Sequence, residues 1–346
     1  MIRDENNVFH EKLIVFKMNE NENRDKKHQK YVRKLAKSSI RRTFLGIYPH
    51  TLTFQIKEKI AFQENLTSSN VLIGNGAEQV LELIMKTFIN KGYHVVSHYP
   101  TYIMYDKIAE IYNTKIEYIE SVSEKFNINT NEIIKKIHEK SRSLLIICQP
   151  NNPTGTVISD KDLINILNNC RDSIVLIDQA YAAYHKSYSL LTKQYENLIV
   201  VNSFSKTYGV PGIRLGYLCA NKVIVDEVDL NTLPTHVNAI SINLAIKLLK
   251  NSRNTFKMIE RLKKYTKIIM KELSKIPFIK VYPSVTNFFL IKVTTSEIDL
   301  ETFLILKGIL IKKICINNDI YYRVSIVNKK AGYSLLNHIS NFEVKS

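Results

Sequence analysis

Ser203-Phe204-Ser205-Lys206, with Arg214 following eight residues after the lysine, is the part of this chain most suited to chemistry. Two hydroxyls and an arginine form a donor set that clamps a phosphate. The Lys206 amine can form a Schiff base with a carbonyl cofactor. Three further features stand at the ends of apolar runs. Gly74-Asn75-Gly76-Ala77-Glu78 precedes a helical pattern. Free N–H groups at a helix N-terminus receive anions, although a plain turn uses the same residues. Pro150-Asn151-Asn152-Pro153-Thr154-Gly155 follows the run ending at Cys148, and its composition also suits an ordinary turn. Asp178 closes the run SIVLID, with Tyr181 three residues on. A carboxylate at the inner end of an apolar strand is costly unless a cation faces it. A capping or salt-bridged Asp is the plainer alternative.

These residues need elements to hold them. From about Leu72, short apolar runs alternate with amphipathic ones. Strands are expected at Val95–Val96, Ile116–Ile119, Leu144–Cys148, Ile174–Asp178, Ile199–Val201 and Tyr217–Ala220. Helical spacing covers Val80–Phe88, Tyr102–Tyr112, Asn131–Glu139 and Asp160–Asn168, with Ser159 as the N-cap of the last. A further helix is expected near Lys30–Lys37. The alternation argues for an α/β fold with a largely parallel sheet and helices on both faces. Sites in such sheets lie at the carboxyl ends of the strands. After about Pro234 the texture changes. Long helical patterns cover Ala239–Lys250 and Arg253–Ser274. A small second sheet is expected from Asn287–Val293, Ile309–Ile311 and Tyr322–Val327, closed by a helix near Ala331–Ile339. No Pro/Gly/Ser-rich linker separates the halves, so they should dock tightly.

Composition narrows the class. Of 346 residues, 45% are hydrophobic and 23% charged, which suits a folded protein rather than a disordered one. The longest apolar runs are strand-length, short of the roughly 18–20 residues of a membrane span. The opening MIRDENNVFHEK is too polar for a secretory signal. Four scattered cysteines without a CxxC suggest neither a metal site nor a disulfide framework, and a reducing cytoplasm is the expected setting. The formal net charge is +17. The lysines are spread along the chain in pairs, not gathered into a tail. The charge alone leaves nucleic acid, a membrane surface and an anionic small molecule open. With Lys206, Asp178 and Arg214 present together, neither nucleic acid nor a membrane is an expected partner, and most of the excess reads as solvated surface.

In this order and spacing, Asn152-Pro153-Thr154-Gly155, Asp178-x-x-Tyr181, Ser203-x-Ser205-Lys206 and Arg214 resemble the fold-type I pyridoxal-phosphate enzymes. Tyr48-Pro49, Gly74–Glu78, Tyr99–Tyr102, Cys148–Gly155 and Tyr321-Tyr322-Arg323-Val324 are similar to one branch of them. That branch holds the class I/II histidinol-phosphate aminotransferases and threonine-phosphate decarboxylases. The resemblance runs from about Met18 to the C-terminal helix. It implies an aspartate-aminotransferase-like fold: an N-terminal arm (1–45) belonging in part to the small domain, a large cofactor domain (46–235) and a small α+β domain (236–346). It implies pyridoxal 5'-phosphate as cofactor. Lys206 would hold it covalently and shuttle the Cα proton. Asp178 would pair with the pyridine nitrogen. Asn152 and Tyr181 would meet the phenolic oxygen, and Tyr102 would stack on the ring. Gly76, the Ala77 and Glu78 amides, Ser203, Ser205 and Arg214 would bind the phosphate. Tyr48 would reach the neighbouring subunit's cofactor, implying a homodimer with shared sites. Arg323 would hold a substrate carboxylate with a fork that Lys cannot match. Tyr48, Asn152 and Lys312 would join it around the substrate.

The departures from the branch surround the substrate. Ala77, Gln179 and Val327 replace its usual residues. Lys312 stands where an arginine helps hold the substrate phosphate, and brings charge without a bidentate fork. A short Ile316–Asp319 stretch replaces a longer loop. The expected reaction is transfer of an amino group between a small phosphorylated or otherwise anionic amino acid or amine and a 2-oxo acid. The alternative is decarboxylation of a phosphorylated amino acid. The same ring supports both, and the choice depends on which Cα bond stands perpendicular to it. Asn287–Val327 looks more like the decarboxylases and Met18–Asn21 more like the aminotransferases; amino transfer is the favoured expectation.

Overall fold

Apolar runs bounded by turns form thirteen strands in the computed structural model, which describes residues 14–140, 142–295 and 299–342. The first thirteen residues of the expected arm lie outside the described residues. In chain order the strands are β1 (Phe16–Lys17), β2 (Val71–Gly74), β3 (His94–Tyr99), β4 (Ile116–Glu120), β5 (Ser143–Cys148), β6 (Ile174–Asp178) and β7 (Leu198–Ser203). They continue with β8 (Gly216–Ala220), β9 (Ile279–Val281), β10 (Phe288–Val293), β11 (Ile309–Leu310), β12 (Lys312–Ile316) and β13 (Asp319–Ser325). Seven of them make one sheet in the order β2-β8-β7-β6-β5-β3-β4. All run parallel except β8, which is antiparallel to both neighbours. The α/β expectation of a largely parallel sheet holds.

The central strands are buried on both faces, as a sheet covered by helices requires. Leu144 and Ile146 of β5 and Ile174 and Leu176 of β6 pack with Val80, Leu81, Ile84 and Phe88 of the helix Ala77–Ile89. The alternate residues Leu145, Ile147, Val175 and Ile177 pack with Leu163, Ile166 and Leu167 of the helix Asp160–Asn169. Ser159 caps that helix by accepting from the Asp162 N–H at 3.1 Å. The strand period of two decides the placement of Asp178. It falls on the same face as Leu176, toward Tyr105 of the helix Met104–Ile111.

The second sheet is antiparallel, in the order β12-β13-β10-β9. Its membership differs from the sequence expectation. Ile309–Leu310 does not join it but pairs in parallel with Phe16–Lys17, and the Met18 N–H donates to the Leu310 carbonyl at 2.7 Å. Lys312–Ile316 and Ile279–Val281 complete the sheet instead. The helix Ala239–Lys250, grouped by texture with the C-terminal part, packs Ile242, Ala245 and Leu248 with Ile56, Val71 and Phe204 beside the large sheet. The helix His50–Glu64 had no sequence signal. Its buried Ile56, Ile60 and Ala61 are mixed with outward Phe54 and Phe62, which blurs the apolar stripe.

The first long helix, Lys26–Arg42, is N-capped by Asp25, which accepts from the His28 N–H at 2.8 Å. Asp25 also pairs with Arg261 of the helix Arg253–Leu273 at 3.0 Å. Lys26–Arg42 carries eight Lys or Arg and no acid, and among the described residues none of the eight forms an ion pair. Among the described residues, no helix is long and apolar enough to cross a membrane.

Gly216 places β8 against the turn that starts the helix Ala77–Ile89. A Cβ there would lie 2.3 Å from the Ala77 nitrogen and 2.7 Å from the Gly76 carbonyl carbon. Backbone cannot yield as a side chain does. Gly216→Ala is therefore expected to destabilise the protein by about 1–3 kcal/mol in denaturant unfolding. Gly212→Ala, which meets nothing within 4 Å, is the control and should change little.

Candidate active site

The carboxyl ends of β5, β6 and β7 open into a cavity of about 380 Å³, a volume that suits a small organic ligand. Asn152 follows β5, Asp178 ends β6, and Lys206 follows β7 on the one-turn helix Phe204–Thr207. The register of neighbouring parallel strands thus gathers residues far apart in sequence.

Asp178 is 3% exposed. Its Oδ2 accepts from the Tyr105 hydroxyl at 2.8 Å and its Oδ1 from the Ala180 N–H at 3.1 Å. No cation pairs with it among the described residues. Burial raises its pKa above the ordinary carboxylate value, the two hydrogen bonds oppose that, and Glu78 adds to it. An unpaired buried carboxylate facing a cavity is a place for a cation that the protein itself does not supply.

Lys206 donates from Nζ to the carbonyls of Glu20 at 2.9 Å and Asn21 at 3.2 Å. Burial, and secondarily the charge of Arg323, lower its pKa to about 8. Arg323 reaches in from β13. Its Nη1 donates to Asn152 Oδ1 and its Nη2 to the Asn19 carbonyl, each at 2.5 Å, while its Nε is buried without a partner among the described residues. Lys312 lies opposite Arg323 in the β12–β13 ladder and lines the same cavity.

The other end of the cavity is built for an anion. Gly76 takes φ +92° ahead of the helix Ala77–Ile89, and a Cβ there would lie 2.6 Å from Arg214 Nη2, so only glycine lets the guanidinium cross. Arg214 donates to Glu78 Oε2 at 2.8 Å. Glu78 Oε1 accepts from the Tyr102 hydroxyl at 2.9 Å, and the Tyr102 ring meets Tyr105 edge-on at 5.6 Å. Ser203 Oγ accepts from the Ser205 N–H at 3.2 Å. Tyr181 is buried, meets Phe288 edge-on at 4.9 Å, and accepts on its hydroxyl from Asn21 Nδ2 at 2.7 Å. Burial pushes its pKa up, so it is a neutral phenol.

Of the residues singled out in the sequence, Ala77, Glu78, Tyr102, Asn152, Asp178, Tyr181, Ser203, Ser205, Lys206, Arg214, Lys312 and Arg323 line this cavity. Gly76 lies beneath Arg214. Tyr48 does not reach it: the side chain is 77% exposed and lies outside the lining. Sequence reasoning gave no role to Tyr105, Asn21 or Ser325. Tyr105 had a signal, since it stands three residues after Tyr102 in the helical pattern expected from the sequence, although the helix itself begins at Met104. Asn21 and Ser325 had none, because they meet across 304 positions.

A family model described as aminotransferase class I and II matches residues 14–326. The histidinol-phosphate aminotransferase of Thermoanaerobacter pseudethanolicus is 34% identical over 284 residues, covering 82% of this chain and 79% of the relative. The histidinol-phosphate aminotransferase of Clostridium acetobutylicum superposes with a TM-score of 0.84 at 25% identity, covering 94% of this chain and 98% of that one. The L-threonine-O-3-phosphate decarboxylase of Porphyromonas gingivalis superposes with a TM-score of 0.81 at 20% identity, covering 95% and 99%; it shares the fold.

The setting of Lys206 has a measurable consequence. Acylation of its amine in the unliganded protein, followed by peptide mass spectrometry across pH, is expected to titrate near 8, against about 10.4 for an ordinary lysine. Arg323→Gln removes a repelling charge and should move the midpoint upward. A midpoint near 10 in the native protein would contradict the buried setting.

Proposed function

We propose, from the premise that the chain belongs to the class I and II aminotransferase family, that it exchanges an amino group between histidinol phosphate, or a closely similar phosphorylated amine, and a 2-oxo acid. The enzyme is a pyridoxal-phosphate-dependent transaminase. The cavity's residues fit that cofactor: an unpaired buried carboxylate, an amine of lowered pKa and an arginine beside a helix N-terminus surround one space. When bound, pyridoxal phosphate supplies an aldehyde that condenses with amines and a ring that takes up the electron pair left when a Cα bond breaks.

The residues then have distinct tasks. Asp178 keeps a negative charge against the ring nitrogen and holds its proton there; that no cation pairs with Asp178 among the described residues is the single observation that carries this function. Tyr105 and the Ala180 N–H fix the carboxylate's direction. Arg214, Ser203, Ser205 and the backbone after Gly76 receive the cofactor phosphate. Glu78 must share Arg214 with it. The Lys206 amine anchors the cofactor and, once released, moves the proton to and from Cα. With a pKa of about 8, about a tenth of it is uncharged at pH 7, which places it near the working pH of a general base. Asn152 and Tyr181 meet the phenolic oxygen. Arg323, with its free Nε, takes the carboxylate of the 2-oxo acid, and Lys312 neutralises the phosphate of the amino donor.

A homodimer belongs to the same proposal. Phe44, Leu45, Ile47, Tyr48 and Phe54 expose large apolar side chains within a short span, more than a free surface needs. A second copy covering them would bring Tyr48 to the partner's cavity. For the domains, we place the boundary after Lys250, because the helix Ala239–Lys250 shares the large sheet's core. The proposed setting is the reducing cytoplasm, in keeping with four free cysteines.

The test uses holoenzyme without a 2-oxo acid. Stoichiometric histidinol phosphate is expected to convert the bound cofactor to its amine form, and O-phosphothreonine is expected to release no carbon dioxide. Gas release from O-phosphothreonine with the aldehyde form retained would replace amino transfer with decarboxylation. Lys206→Ala should fold and lose the half-reaction by about 10²–10⁴-fold, the usual contribution of a positioned general base.

A further inference from the structure

The segment between β1 and the helix Lys26–Arg42 lines the cavity and touches three of its working groups. The Asn19 carbonyl accepts from Arg323, the Glu20 and Asn21 carbonyls accept from Lys206, and the Asn21 side chain reaches Tyr181. Asn21 is 4% exposed and takes φ +53°. That backbone would suit glycine better, and an asparagine there is tolerated at some cost. The position therefore retains a carboxamide for what the carboxamide does.

Its hydrogen bonds run in one sense. Ser325 Oγ, on β13, accepts from the Asn21 N–H at 3.2 Å and donates to Asn21 Oδ1 at 2.5 Å. With its acceptor end taken, the carboxamide turns its amino end to Tyr181 and donates to the hydroxyl at 2.7 Å. The Tyr181 oxygen is thereby an acceptor on that side, and its own proton is free for the cavity. The ring cannot swing away, because Phe288 packs against it.

We propose that Asn21, oriented by Ser325, is a positioning residue that aims the Tyr181 hydroxyl proton at the phenolic oxygen of the bound cofactor. This rests on the placement of the cofactor against Tyr181 given above. A hydrogen bond donated to the phenolic oxygen favours its anionic form. Without Asn21 the Tyr181 proton is no longer committed to the cavity. The cofactor should then bind more weakly, and the pH at which its bound absorbance changes should rise, because a less stabilised phenolic anion holds the shared proton more tightly.

The test is a cycle of Asn21→Gly, Tyr181→Phe and the double variant. Asn21→Gly removes the side chain and relieves the backbone, so it should fold; Ser325→Ala offers a second way to release the carboxamide. Two quantities are read: the dissociation constant of pyridoxal phosphate, by dialysis of holoenzyme, and the titration midpoint of its absorbance. Each single variant is expected to weaken binding about 10-fold, the size of one charge-assisted hydrogen bond, and to raise the midpoint. The double variant should be no worse than Tyr181→Phe alone, and Ser325→Ala should move both quantities the same way to a smaller extent. If Asn21→Gly weakens binding equally with and without the Tyr181 hydroxyl, or not at all, the inference fails while Tyr181 keeps its role. If Tyr181→Phe changes neither quantity, the placement of the cofactor against Tyr181 fails and the inference falls with it.

Discussion

A carboxylate sealed at the end of an apolar strand, with no cation paired to it among the described residues, is the constraint around which the rest is arranged. Asp178 is the last residue of β6 and the only ionisable one in it. Its place is fixed by strand parity, which turns Leu176 and Asp178 toward the same helix layer. Tyr105 and the Ala180 N–H give it hydrogen bonds but not neutralisation. The cost of that burial remains in the cofactor-free protein, and in the proposed function it would be released when a cationic ring nitrogen faces the carboxylate. A disadvantage to folding would thus become affinity for pyridoxal phosphate.

The parallel sheet supplies the rest of the proposed cofactor site. Three neighbouring strands end side by side, and each carries one component at or just past its end: Asn152, Asp178 and Lys206. The substrate side is assembled differently. Arg323 and Lys312 come from paired strands of the second sheet, and Asn19–Asn21 come from the N-terminal segment that ties both sheets together. Residues carried by the two sheets therefore meet over one cavity.

This division explains what was legible in the sequence. Lys206, Asp178 and Asn152 are local features, each a polar residue following an apolar run, and their strands read as strands because they are buried on both faces. The order of strands in the sheet, and the reversal of β8, depend on contacts that no local window holds. Ile309–Leu310 is apolar in either sheet, and its partner is decided by Phe16–Lys17 nearly three hundred residues earlier. The helix His50–Glu64 was hidden because it exposes Phe54 and Phe62 where polar residues would mark a solvent face. The positive charge, scattered in sequence, gathers in part on one element: eight of the cations lie on Lys26–Arg42 with no acid among them. Pairing of Asn21 with Ser325 was beyond any local reading.

The most direct test of the central claim is Asp178→Asn, followed in both the cofactor-free and cofactor-bound protein. Burial raises the folded-state pKa of Asp178, so its charged form costs stability as pH rises through that value. The neutral isostere should therefore raise the unfolding temperature of the cofactor-free protein at pH 8, by a margin that shrinks as the pH falls and the native carboxyl takes up its proton. The same change should weaken pyridoxal phosphate binding by about 10-fold or more, the loss expected for a buried charge-assisted hydrogen bond. A variant that is less stable without cofactor, yet binds it as tightly as the native protein, would contradict the account.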